Sequence, residues 1–161
     1  MHDILSTEIR RATAADLAPV RAIAEAAYRP YVARNGLEPA PLFEDYAART
    51  ADGQLWVLTA ECAPGGPDCE RVRGFLVLIE RGDHLLLDNI AVDPAAQGRG
   101  YGRALMDFAE GYARWASLPA IRLYTQEIMV ENIVIYSARG YVETHRATEQ
   151  GLRRIHMEKR L

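Results

Sequence analysis

Short alternating or apolar runs predict strands in this chain, and stretches with apolar residues three and four apart predict helices. Ile9-Arg10-Arg11-Ala12 reads as a first strand. Thr13 and Asp16 resemble a capping box, and Pro19 falls in the first helical turn if Asp16 is the cap. Leu17, Val20, Ala24, Ala27 and Tyr31 then share a helical face until Asn35-Gly36 interrupts it. Pro39 and Pro41 mark a turn before a second short helix containing Phe43, Tyr46 and Ala47. Residues 54–60, 72–80 and 85–92 read as an antiparallel meander of three strands. A helix over 103–115 puts Leu105, Phe108, Tyr112 and Trp115 on a core-facing stripe, widened by Met106 and Ala109. A strand over 121–125 and a short helix over 132–138 follow. Residues 141–148 and 152–159 pair as a hairpin around Glu149-Gln150-Gly151. The unit from strand 85–92 through the helix to strand 121–125 is parallel and right-handed by the crossover rule. The pattern therefore predicts an α/β protein, a mixed sheet with helices on both faces.

Composition narrows the class. The 161 residues suit a single domain spanning 1–161, and 49% hydrophobic with 25% charged residues is ordinary for a soluble globular chain. A formal charge of −3 argues against a general nucleic-acid binder. The start, Met1-His2-Asp3-Ile4, lacks the basic and apolar regions of a signal peptide, and no apolar run reaches the length of a membrane span. These features lead to an expectation of a cytoplasmic protein. Cys62 and Cys69 are spaced too widely for a C-x-x-C motif. Unpaired thiols in a hairpin loop are expected over a disulfide, which a reducing compartment disfavours. The four histidines are scattered without ligand spacing, so no metal site is expected.

The chemistry concentrates at Gln97-Gly98-Arg99-Gly100-Tyr101-Gly102. A strand, a glycine-rich loop and a helix N-terminus together make an anion cradle, because free amides and the helix dipole point at one spot. A dinucleotide fingerprint would need a third glycine where Arg103 stands. A P-loop would need a lysine, and Lys159 is the only one in the chain. A turn that merely caps a helix would also satisfy these six residues. A second constellation lies downstream: Asn132 and Tyr136 share a helix face, Gly140 ends that helix, and Tyr141 opens the next strand.

The Q-x-x-G-x-G loop, the N-x-x-x-Y-x-x-x-G-Y run and the element order resemble the GNAT superfamily of N-acetyltransferases along nearly the whole chain. The resemblance implies a twisted mixed sheet of about six to seven strands flanked by about four helices, with the fourth and fifth strands splayed. It also implies acetyl-CoA as co-substrate, held by Gln97, Gly98, Arg99, Gly100, Tyr101, Gly102 and Arg103 at the diphosphate. Ile90, Ala91 and Val92 would hold the pantetheine arm, with the Val92 amide on the thioester carbonyl. Asn132 would contact that arm, and Tyr136 would act as the general acid that protonates the departing thiolate. Glu127 matches the place of a catalytic glutamate in some members and is the candidate base; Asp88 is a second candidate. Tyr28, Tyr31, Glu38 and Asp88 are the candidate acceptor-binding residues. Arg153, Arg154, Lys159 and Arg160 are expected on a solvated strand face.

The expected activity is transfer of an acetyl group to a primary amine, on a small molecule or a protein, by direct attack. A non-catalytic acyl-CoA-binding regulatory module is the alternative. An exposed C-terminal strand would offer an edge for a homodimer.

Overall fold

The computed structural model describes residues 6–61 and 70–161. Cys62 and Cys69, and with them the expectation of unpaired thiols, lie outside the described residues. The elements in chain order are β1 (Thr7–Arg11), α1 (Leu17–Asn35), α2 (Tyr46–Ala51), β2 (Leu55–Glu61), β3 (Glu70–Arg81) and β4 (His84–Val92). They continue with α3 (Tyr101–Trp115), β5 (Ala120–Gln126), α4 (Val130–Ala138), β6 (Val142–Glu149) and β7 (Leu152–Arg160). Thr13 and Asp16 do form a capping box, but it closes a 3-10 turn at Ala14–Asp16, and α1 begins one residue later.

Among the described residues the strands form one seven-stranded sheet in the order β1-β2-β3-β4-β5-β7-β6. β4 and β5 are the parallel pair, as the crossover through α3 requires. Gln150 and Gly151 both have positive φ, which suits the tight hairpin between β6 and β7. That hairpin folds back so that β7 lies between β5 and β6. The C-terminal strand is thus interior, and the edge expected there belongs to β6 instead.

Two cores sandwich the sheet. α3 buries Leu105, Met106, Ala109 and Ala113 on one face, against Leu85, Leu87, Ile121 and Leu123. α1 and α2 bury Val20, Ile23, Ala24 and Tyr46 on the other, against Leu55, Val57, Phe75 and Val77. A fully buried leucine such as Leu105 contributes about 2 kcal/mol by removal from water. Four expectations need correction. Trp115 is 79% exposed, because the stripe on α3 turns out of the core at its last turn. Phe43 is 68% exposed and precedes α2 rather than lying in it. Arg154 is buried, because it lies on the face of β7 that packs over the Tyr124 ring and reaches Glu149. Lys159 is half-buried in an ion pair with Glu110.

One irregularity positions the site. Val77 pairs with Asn89 while the adjacent Leu78 pairs with Leu87, so Asp88 is an extra residue in β4. This β-bulge reverses the inside-outside alternation of the strand. Before it, Leu85 and Leu87 face α3; after it, Ala91 faces α1 and Val92 packs on the α3 side. The last parallel pair between β4 and β5 is Leu87 with Leu123. Beyond that pair the bulge bends β4 away, and the two strands splay.

Candidate active site

The splay opens the sheet from both sides, and two cavities meet in it. The larger, about 500 Å³, is lined by Ile90, Ala91 and Val92 of β4, by Gln97, Gly98, Gly100, Tyr101 and Gly102, and by Asn132, Ile135 and Tyr136 of α4. The smaller, about 50 Å³, lies on the α1 side and is lined by Tyr28, Asp88, Asn89, Tyr124, Arg154 and apolar groups that include Pro39, Pro41 and Met129. Ile90, Asn132 and Tyr136 line both.

The floor of the larger cavity is backbone. Gly98 and Gly100 have φ of 81° and 80°, left-handed geometry that non-glycine residues adopt only with strain. The Ala104 N–H reaches the Gly100 carbonyl at 3.0 Å to start the helix. The amides before it are left for another acceptor. Those amides, the α3 dipole and the open cavity form a cradle suited to a phosphate group. The Arg99 and Arg103 side chains are exposed at its rim and do not line it. Past Leu87, β4 has no partner on its β5 side, so its backbone groups there can pair with an extended ligand.

α4 brings in the side chains. Tyr136 is 8% exposed, and burial pushes its hydroxyl up to about 12, with the nearby Tyr31 adding to the effect. Other tyrosines around the site have committed their hydroxyls. Tyr28 donates to the Ile90 carbonyl and Asn89, Tyr31 to Glu131, Tyr46 to the Pro41 carbonyl, and Tyr124 to Asp88. The Tyr136 hydroxyl has no hydrogen-bond partner among the described residues. Asn132 is held loosely by Thr125 at 3.4 Å and the Met129 sulfur at 3.6 Å.

α4 is fastened at both ends. At its start, Glu131 takes Arg34 at 2.8 Å and the Tyr31 hydroxyl at 3.1 Å, bridging to the end of α1. Arg34 is the main cause holding the Glu131 carboxyl down at about 2. Both side chains are over 40% exposed, so solvent screens the pair and it adds little to stability. Just past its last turn, Arg139 meets Asp107 at 2.7 Å and the buried Glu110, which also takes Lys159 of β7. Burial raises the Glu110 carboxyl, but Lys159 and Arg139 outweigh it and the net direction is down.

The small cavity is built from side chains of six places in the sequence. Asn89, buried on β4, donates to the Tyr46 hydroxyl at 3.0 Å and accepts from Tyr28 at 2.8 Å. This network ties α1 and α2 to the splayed strand and fixes the roof. Asp88 accepts from Tyr124 at 2.8 Å and lies 3.7 Å from Arg49. Burial and the Asp88 charge raise the Tyr124 phenol, so it remains a donor. The Arg154 guanidinium lies over the Tyr124 ring, 4.6 Å from its centroid.

The structure thus brings Tyr28 and Asp88 to the small cavity, and Tyr31 to the large one. It does not bring Glu38 or Glu127 to either. Glu38 is paired with Arg29 on the surface at 2.7 Å. Glu127 is paired with Arg146 at 2.8 Å and Arg153 at 3.4 Å, just past the end of β5. Tyr124, Asn89 and Arg154 escaped sequence reasoning. Their only signal is alternation, and the bulge and the interior placement of β7 decide which way they point. No group of three or more ligating side chains that could hold a metal ion occurs among the described residues.

Comparison with known proteins agrees with this geometry. The PaiA N-acetyltransferase of Thermoplasma acidophilum, solved in complex with coenzyme A, superposes with a TM-score of 0.75 at 18% identity, covering 98% of this chain and 100% of that one. The ribosomal-protein-S18-alanine N-acetyltransferase of Escherichia coli gives 0.71 at 19% identity, with 96% and 94% covered. A GCN5-related N-acetyltransferase from Rhodopseudomonas palustris gives 0.72 at 24%, with both chains covered fully. At such identities the likeness establishes the fold. No curated protein matches by sequence. The model of the acetyltransferase (GNAT) domain matches residues 51–143, which include the bulged strand, the glycine loop and α4. The splayed sheet is therefore that of a GNAT acetyltransferase, and the chain belongs to this family.

Proposed function

We propose that the protein is an N-acetyltransferase that moves the acetyl group of acetyl-CoA to a primary amine by direct attack, with Tyr136 as the general acid. The observation that carries this reading is the Tyr136 hydroxyl. It is buried, protonated at neutral pH, uncommitted to any acceptor among the described residues, and set where the two cavities meet. The large cavity has the backbone chemistry to receive the diphosphate at Gly98–Arg103 and the pantetheine arm along Ile90–Val92. The Thermoplasma relative, crystallised with coenzyme A, supports that use. Asn132 lies where it can hold the arm's end.

The residues then divide the work. The Val92 N–H polarises the thioester carbonyl and stabilises the oxyanion of the attacked carbon. Asp88, the carboxylate in the small cavity, receives the proton that the amine must shed. Glu127 lines neither cavity, and Arg146 and Arg153 pair with its carboxylate, so the geometry favours Asp88 over it. Collapse of the tetrahedral carbon breaks the carbon–sulfur bond, and Tyr136 delivers its proton to the sulfur. The acceptor amine enters from the α1 side.

Replacing Tyr136 with Phe tests the assignment. Turnover, read as free-thiol release, is expected to fall about a hundredfold or more. Affinity for acetyl-CoA, read by calorimetry, should stay within about twofold, because the ring and its packing persist. Unchanged turnover would remove the role from Tyr136.

A further inference from the structure

The small cavity contains a charge that an ordinary amine pocket does not need. Arg154 is 8% exposed, and a buried guanidinium is tolerated only when its donors are used. Among the described residues it makes a single hydrogen bond, from one terminal nitrogen to Glu149 Oε2 at 2.8 Å. The other Glu149 oxygen is taken by His156 at 2.8 Å. The only fully enclosed side-chain polar atom without a partner among the described residues is the Tyr141 hydroxyl. The remaining Arg154 N–H groups are therefore not sealed in protein, and Arg154 lines the small cavity. A planar fork with unspent donors fits a carboxylate in two-point contact.

The opposite charge sits close by. Asp88 holds the hydroxyl of Tyr124, and Arg154 lies over the ring of the same residue. One tyrosine ring thus sets the separation between the cavity's carboxylate and its guanidinium. That is the scale of an amine and a carboxylate on one small molecule, not of a long polyamine or a peptide. A phosphate dianion fits poorly, because Asp88 shares the space. The apolar walls of the cavity, Leu87, Leu123, Met129 and Leu152, suit a compact apolar side chain.

From this juxtaposition we infer that the acceptor is a free amino acid with a small or apolar side chain, its carboxylate on Arg154 and its amine facing Asp88 and Tyr136. The inference rests on the transferase reading and names its substrate class. Arg154 acts here as a specificity-determining residue. Glu149 and His156 hold it from behind.

The test is thiol release with acetyl-CoA across the free amino acids. Each is compared with its carboxamide, its decarboxylated amine and a peptide that begins with the same residue. At least one apolar amino acid should be acetylated with kcat/KM roughly 10- to 100-fold above its carboxamide, the worth of a charge-assisted contact. Arg154→Met should bring the ratio of acid to carboxamide near one while acetyl-CoA binding holds, and Arg154→Lys should keep part of it. A carboxamide, amine or peptide used as well as the acid would overturn the inference and leave the transferase reading standing. So would acetyl-CoA binding with no amino acid acetylated. Failure to bind acetyl-CoA in calorimetry would bring down the transferase reading, and this inference with it.

Discussion

The two cavities that share Tyr136 differ tenfold in volume and differ more in what they are made of. The larger presents backbone: amides of a glycine loop, the start of α3, and the unpaired edge of β4. The smaller presents side chains from α1, the proline loop, β4, β5 and β7, cross-linked by Asn89, Tyr124 and Arg154. Backbone groups are the same in every sequence, so a site built on them needs only glycines at the positive-φ positions and a helix behind. A site built from side chains changes with each substitution. On the proposed function the donor end is therefore general, and the acceptor end is particular to this chain. The wall between them, α4, belongs to both and is fixed by ion pairs rather than by a deep apolar face. Val130, Val134 and Ile135 are more than half exposed.

That division can be broken at three places. The largest effect is expected at the shared wall. Replacing Glu110 with Gln strips Lys159 and Arg139 of their common buried partner, and the loss should be about 3 kcal/mol of unfolding free energy in urea. Both cavities should suffer together. The pH dependence has a definite sign. The folded-state carboxyl of Glu110 is lowered, so its stabilisation is complete above the unfolded glutamate value of 4.5 and is lost as pH falls through the folded value. Wild type should therefore lose stability on acidification more steeply than the variant.

Asp88→Asn comes next and addresses the small cavity alone. Turnover should fall about a hundredfold, with acetyl-CoA affinity retained. Glu127→Gln should leave turnover within about twofold of wild type. The reverse pattern would return the base to Glu127. The smallest effect is expected at Gly100→Ala. A Cβ there meets nothing within 4 Å, so the cost is the left-handed backbone alone, φ 80°. This should weaken acetyl-CoA binding roughly tenfold by titration and leave the acceptor KM unchanged, from a strain of about 1–2 kcal/mol.

The donor side was legible because its signals are local. Gln97 to Gly102 sit between a strand and a helix in the sequence itself, and Asn132 and Tyr136 are one helical turn apart. The acceptor side was less legible. Tyr28 and Asp88 could be placed near it from element order, but Glu38 found a surface partner in Arg29, and Tyr31 turned to Glu131, a hundred residues away. Arg154 read as one of four basic residues on a solvated strand. It is buried against Tyr124, a neighbour it has only because the hairpin sets β7 beside β5, and strand order is not a property of any window of sequence.

By itself the sequence determined the alternation of strand and helix, the parallel unit around the glycine loop and the geometry of that loop. These depend on hydrophobic period and on which residues tolerate positive φ, interactions that reach only a few residues along the chain. The tertiary structure alone decided that Asp88 is a bulge, that β4 and β5 part after Leu87 and Leu123, and that Asp88, Tyr124 and Arg154 share one small space. Those outcomes follow from pairing between distant strands, where a shift of a single residue moves a side chain to the other face of the sheet.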